Sequence, residues 1–172
     1  MINVYEPKAL ISLNTPNFKQ YEISKSETAT RNDVDNTPTL EVLNNAILVA
    51  ENCMQPIRDH FGLVSINSWY RSQSVERIVA RQGYLNWLRK NTFKETEENW
   101  KAYYSKKQHP KGNAVDFEVP GISNDEVFEW CKNNLKFDQL IREFAKPGIP
   151  DSGWVHISYV ATGNRQQVLH IP

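Results

Sequence analysis

Two cysteines in 172 residues, Cys53 and Cys131, are too few for a disulfide framework. Both fall at apolar positions of helix-like stretches, which predicts buried thiols, and their spacing gives no support for a bridge between them. An excess of charge is missing as well. Lys plus Arg and Asp plus Glu each total 20, so no global field steers the chain toward nucleic acid or an anionic membrane, and nucleic-acid binding is not expected. No window is long and apolar enough to span a bilayer, and the opening Met1-Ile2-Asn3-Val4-Tyr5-Glu6-Pro7 has neither the basic start nor the apolar stretch of a secretion signal. The expectation is a protein made in a cytoplasm, without stable membrane insertion, that needs another route to act outside. Internal repeats, low-complexity tracts and coiled-coil heptads are absent too.

What is present reads as one domain, since 172 residues suffice for an ordinary core without staples. Residues 1–36 mix short apolar runs with Asn, Thr, Ser and Lys, and read as an irregular N-terminal arm laid over the domain. Thr37-Pro38 offers an N-cap followed by proline at the first helical position. From there Leu43, Ala46, Ile47, Ala50, Cys53, Met54 and Ile57 recur at three- and four-residue intervals and predict the main core helix. Pro56 should kink or shorten its last turn, and Gly62 closes it. Leu63 to Tyr70 alternates like a half-buried strand, which puts Arg71 at a strand end.

Residues 73–107 form an aromatic-rich insertion with Tyr84, Trp87, Phe93, Trp100, Tyr103 and Tyr104, read as one or two helices. Their aromatic stripe either packs against the domain or walls a substrate groove. Ser123-Asn124-Asp125-Glu126 is a capping box that opens a helix carrying Val127, Phe128, Trp130 and Cys131 and stopping near Asn133-Asn134. Phe137 to Phe144 and Trp154 to Val160 read as an antiparallel pair around a Pro/Gly-rich connection, with Gln167 to Ile171 as an edge strand. The expected fold class is α+β, with helices packed on a small, mostly antiparallel sheet.

The chemistry concentrates in three residues. His109 and Asp116 stand seven apart, too far for one helical face, but Gly112 and Ala114 between them permit a tight turn into a strand that returns both side chains to one point. With His156 they make two imidazoles and a carboxylate, a donor set that suits Zn²⁺ and leaves its fourth tetrahedral position for water. Zinc hydrolysis needs a carboxylate to carry the water's proton to the leaving group. Glu143, on the strand before that of His156, and Asp151, in the connecting loop, both qualify; Glu143 is favoured because a strand fixes a side chain more tightly than a Pro/Gly loop. Its plainer role is a surface pair with Arg142 or Lys146, and that of Asp151 a turn or cap. Arg71 can grip a carboxylate through two parallel hydrogen bonds, or close a strand-end ion pair. Trp154 either flanks the pocket or fills the core, and His60 and His170 have no ligand partners in the sequence. Sugar cleavage is disfavoured, since a glycosidase uses paired carboxylates and has no need of this histidine set.

Three segments, Ser68-Trp69-Tyr70-Arg71-Ser72, His109-Pro110-Lys111-Gly112-Asn113-Ala114-Val115-Asp116 and Trp154-Val155-His156-Ile157-Ser158, resemble in order the signature segments of the zinc D-Ala-D-Ala carboxypeptidase-like cell-wall peptidases, most closely their phage and prophage members. The resemblance extends from about Phe18 to the end. It implies a zinc DD-peptidase (hedgehog-like) fold with one Zn²⁺ on His109, Asp116 and His156, and Arg71 pairing with a substrate carboxylate. The implied activity is hydrolysis of a peptide bond in peptidoglycan stems, by a D-Ala-D-Ala carboxypeptidase or endopeptidase of endolysin type. Such a protein would reach the wall through a holin-type partner's membrane hole or as part of a phage particle. The competing class is a non-catalytic wall-binding or phage structural module whose metal only holds the fold. Two departures stand out. Many relatives carry Ser two residues before the first ligand, where this chain has Lys107, so that supporting hydrogen bond is either missing or supplied by Ser105. In several distant relatives the base lies three residues before the last histidine, where this chain has Gly153.

Overall fold

The computed structural model describes residues 15–172; the first part of the expected arm, residues 1–14, lies outside the described residues. The remainder of that arm is not irregular. It holds two short helices, α1 (Gln20–Ser24) and α2 (Glu27–Asn32), with Ile23 and Ala29 turned into the protein. Helices of one or two turns are too brief to display an apolar period, which is why the sequence shows none. Ser26 starts α2 by accepting from the Ala29 N–H at 3.2 Å.

The core helix begins two residues later than the Thr37-Pro38 pair implies. Asp35 Oδ1 takes both the Thr37 hydroxyl at 2.6 Å and its N–H at 3.0 Å, so Thr37 is spent on a local turn and Thr39 caps α3 (Leu40–Val49) through the Val42 N–H. Pro56 does not end the helix. A π-helical turn over Ala50–Met54 leads into α4 (Gln55–Phe61), and this wider turn lies where proline lacks its donor and crowds the preceding carbonyl. Gly62 closes α4 at φ +89, a conformation costly for any other residue.

β1 (Ser65–Ser68) is shorter than the alternation suggests, because Trp69 and Tyr70 peel away from the sheet: the Tyr70 N–H donates to Ile23 of α1. The insertion follows as α5 (Gln73–Val79), α6 (Arg81–Asn91) and α7 (Glu97–Tyr104). Tyr84, Leu88, Trp100 and Tyr103 are buried against one another in a small core of their own, with Trp87 and Tyr104 packed on it. After β2 (Ala114–Glu118), Ser123 caps α8 (Asn124–Asn134) by accepting from the Glu126 N–H at 3.2 Å. β3 (Gln139–Glu143), β4 (Trp154–Ser158) and β5 (Gln167–Ile171) complete a sheet of order β1-β2-β4-β3-β5, antiparallel except where β5 runs parallel to β3. No helix among the described residues is long and apolar enough to cross a membrane.

Register then sorts the side chains. Asp116 lies opposite His156, His156 opposite Ile141, and Glu143 opposite Trp154. Because alternate residues share a face, Asp116, His156, Trp154 and Glu143 all project to one side of the sheet. The other side carries Val115, Phe117, Leu140, Val155 and Ile157, fully buried in the main core with α3, the π-helical turn and α8. Arg142 also points that way. At 1 % exposure it spends its donors on Asp125 Oδ1 at 2.8 Å and on the backbone carbonyls of Pro150 at 2.9 Å, Trp154 at 3.3 Å and Glu143 at 3.4 Å, and it forms no ion pair with the Glu143 carboxylate on the other face.

Cys53 and Cys131 are both buried free thiols, and burial pushes each thiol pKa upward. The native protein should therefore show no reaction with a thiol reagent at pH 8 over minutes, and two equivalents in denaturant. Fast labelling of either cysteine in the native state would contradict the packing described for α8 against the π-helical turn.

Candidate metal centre

The segment from His109 to Asp116 folds as a single 3₁₀ turn, His109–Lys111, followed by Gly112 in the left-handed region and then β2. Gly112 sits against helix α3, not against a strand or the centre: a Cβ there would lie 2.4 Å from the Val42 carbonyl oxygen. Asn45 of α3 also donates to the Lys111 carbonyl at 2.9 Å. Close packing of helix on loop sends the chain back so that His109 faces Asp116.

Among the described residues, His109, Asp116 and His156 form a group whose candidate ligand atoms lie within 4.8 Å of one another, all three side chains buried. Asp116 Oδ1 is 3.2 Å from His109 Nε2 and 2.8 Å from His156 Nδ1. The outward nitrogens are both engaged. His109 Nδ1 is 2.6 Å from the Trp69 carbonyl, which can only accept, and His156 Nε2 is 3.3 Å from Gln108 Oε1. Each outward nitrogen therefore carries the ring proton, and each inward nitrogen presents a lone pair. Three lone-pair atoms converging in a buried space repel one another unless a cation lies among them, and this arrangement, with the second nitrogen of each imidazole bonded to an acceptor, is that of a metal-binding histidine pair.

Electrostatics agree. Burial pulls the His109 imidazole down to about 4, against the opposing pull of Asp116, so the ring is neutral at pH 7 as a ligand must be. Asp116 Oδ2 takes Arg71 Nη2, and Arg71 Nε bonds Ser68 Oγ at 2.8 Å. Arg71 is thus first of all the partner of Asp116.

Glu143 reaches the same place from β3, its Oε1 3.9 Å from His156 Nδ1, the inward nitrogen. Among the described residues it pairs with neither Arg142 nor Lys146. Burial, and then the charge of Asp116, raise its pKa. Asp151 is not brought to the group. It is exposed in the loop before β4, where its backbone carbonyl accepts from Asn124 at 3.1 Å, and it borders a separate hollow beside Glu118.

A groove of roughly 640 Å³ leads to the centre, bounded by Tyr21 and Lys25 on the side of α1, by Ser65 on β1, and by Arg71, Asp116 and Trp154 at its inner end. From the insertion only Val75 and Val79 of α5 contribute, so the aromatic stripe packs on itself and does not wall the groove. No family model matches this chain, and no curated protein matches it. Among solved structures, a variant of the vancomycin-resistance D,D-pentapeptidase VanY from a VanB-type cassette, crystallised with Zn(II), overlays on 71% of this chain and 72% of its own at 19% identity and a TM-score of 0.36.

Several participants were not foreseen. Ser105 does not support the first ligand, since its hydroxyl donates to the Ala102 carbonyl, and Lys107 stacks over Tyr103 at 4.4 Å. Support comes instead from Trp69 and Gln108. Glu76 of α5, 2 % exposed, stands 3.8 Å from Arg71 Nη1, and burial raises its pKa. The only hint of Glu76 in the sequence is its distance of five residues from Arg71, which is common and points to nothing.

Proposed function

We propose that this protein is a zinc-dependent peptidase that hydrolyses peptide bonds in peptidoglycan stem peptides, as a D-Ala-D-Ala carboxypeptidase or endopeptidase. The observation that carries the reading is the position of the Glu143 carboxylate, 3.9 Å from the inward nitrogen of His156, at the edge of a buried His-Asp-His group. Zn²⁺ held by His109 Nε2, Asp116 and His156 Nδ1 would supply a Lewis acid able to polarise a peptide carbonyl and to bring the pKa of a water toward ~7. Glu143 Oε1 would take that water's proton and return it to the leaving amine, a task for which a raised pKa is suited. Arg71 has used Nε on Ser68 and one Nη2 donor on Asp116; its remaining N–H groups, at the inner end of the groove, would receive a substrate carboxylate. Motif resemblance supports the wall-peptide substrate and a phage or prophage lytic role, with release through a holin-type partner or delivery on the particle.

The test is hydrolysis of purified peptidoglycan and of a D-Ala-ended peptide, with and without a chelator. Product that vanishes with chelator and returns with zinc is expected. Zinc bound with no product from any wall peptide would support the non-catalytic module instead. Glu143→Ala should lower turnover by about 10²- to 10⁴-fold while leaving zinc affinity within about threefold of wild type. Asp151→Ala should change neither. Wild-type turnover in Glu143→Ala would end the assignment of Glu143 as the base.

A further inference from the structure

Gln108, one residue before the first candidate ligand, is itself held in place, and the chain of contacts behind it runs to the far edge of the sheet. Its Nε2 donates to Asp138 Oδ2 at 2.6 Å. A carboxylate oxygen beside an arginine only accepts, so the orientation of the amide is settled and Oε1 is the atom turned to His156 Nε2. Asp138 is 4 % exposed and is gripped on both oxygens by Arg165, Nε to Oδ1 at 2.7 Å and Nη2 to Oδ2 at 2.6 Å, with the Arg165 backbone N–H adding a third bond at 3.2 Å. Asp138 also donates its own N–H to the Ser158 carbonyl at 2.7 Å, which ties it to the end of β4, two residues beyond His156.

We propose that Gln108 is a positioning residue that fixes the tautomer and ring orientation of His156, anchored through Asp138 by Arg165, so that the Nδ1 lone pair stays aimed at the metal position. An amide carbonyl at that place accepts only from a protonated Nε2. It therefore selects the one tautomer in which Nδ1 is free to ligate. The bidentate Arg165–Asp138 pair selects the amide orientation in turn, because an Asp138 oxygen takes a donor from Gln108 and rejects its carbonyl. The loop before β5 thereby reaches the centre without touching it.

This inference rests on the zinc reading above, and the first measurement separates the two. The zinc dissociation constant of the metal-free protein is determined by competition with a chromophoric chelator; absence of binding by the wild type would remove the zinc reading itself. Given wild-type binding, Gln108→Ala is expected to weaken zinc about 10- to 100-fold, the usual effect of losing an outer hydrogen-bond partner of a ligand, with the melting temperature of the metal-free protein little changed. Asp138→Asn should weaken zinc in the wild-type background and have little further effect in the Gln108→Ala background, because it acts through Gln108. Should Asp138→Asn impair folding, Arg165→Ala gives the same cycle from a half-exposed position. In the zinc-loaded wild type the His156 Nε2–H should give a ring N–H resonance protected from solvent exchange, and Gln108→Ala should lose that protection. Wild-type zinc affinity in Gln108→Ala, or equal losses from Asp138→Asn in both backgrounds, would overturn the proposal.

Discussion

Asp116→Asn should strip the protein of its metal while leaving its fold intact. Apparent zinc affinities of four-ligand protein sites lie at roughly 10–16 kcal/mol, so one ligand is worth about 3–4 kcal/mol, or about 10²- to 10³-fold in affinity. Asp116 also brings the only charge among the three candidate ligands, which places its loss at the upper end of that range. The fold should tolerate the change for a specific reason. An asparagine at 116 can turn its carbonyl to Arg71 and its amide N–H toward an inward imidazole nitrogen, replacing the converging lone pairs by a hydrogen bond. Melting of the metal-free protein should therefore shift little, while peptide hydrolysis at limiting zinc falls to background and recovers in part at high zinc, because two imidazoles still converge. Titration of zinc into both proteins, beside a thermal melt of each without metal, decides it. Undiminished affinity in Asp116→Asn would show that the three residues are not the metal centre.

How much of this could be read from the chain depends on range. Patterns with a local cause were legible: the three- and four-residue apolar spacing that buries Ala46, Ala50, Cys53 and Ile57, the Ser123 cap, and the strand-like runs of β3 and β4 on either side of their Pro/Gly-rich connection. The likelihood that His109 and Asp116 meet was also local, since one 3₁₀ turn and Gly112 bring them together. Features that depend on what the rest of the molecule places nearby were not. Gln108 is an ordinary glutamine until Asp138, thirty residues away, holds its amide, and the Trp69 carbonyl is a backbone group that no motif marks. The parallel pairing of β5 with β3 leaves no signature in five residues, and the π-helical turn is seen only because the helix continues past Pro56. The aromatic residues of the insertion show the remaining ambiguity: a helical stripe records that a face is covered, and in this protein α6 and α7 of the insertion cover each other.

Gly153→Ala should be the costliest single methyl group in the loop before β4. An added Cβ would lie 1.8 Å from the Glu143 carbonyl oxygen and 2.8 and 2.9 Å from the carbonyl carbons of Phe144 and Glu143. These are backbone atoms, so no rotamer change relieves the clash. Gly153 also has φ +63, and its own carbonyl is held by Asn124 at 3.0 Å, so neither side of the contact is free to retreat. The substitution should cost about 3 kcal/mol or more, lowering the melting temperature by roughly 6–12 °C for a domain of this size. Gly148, in the same loop at φ +74 with nothing within 4 Å, provides the comparison: Gly148→Ala should cost only the left-handed backbone, about 1–2 kcal/mol. The difference between the two melts measures the clash alone. Turnover should fall further than zinc affinity in Gly153→Ala, because the atoms that must move belong to the residue whose carboxylate stands 3.9 Å from His156, and not to a candidate ligand. The same contact explains why the position three residues before His156 carries no carboxylate in this chain. The space a side chain would need there is filled by the backbone of Glu143, and it is Glu143, across the strand pair from Trp154, that brings a carboxylate to the centre.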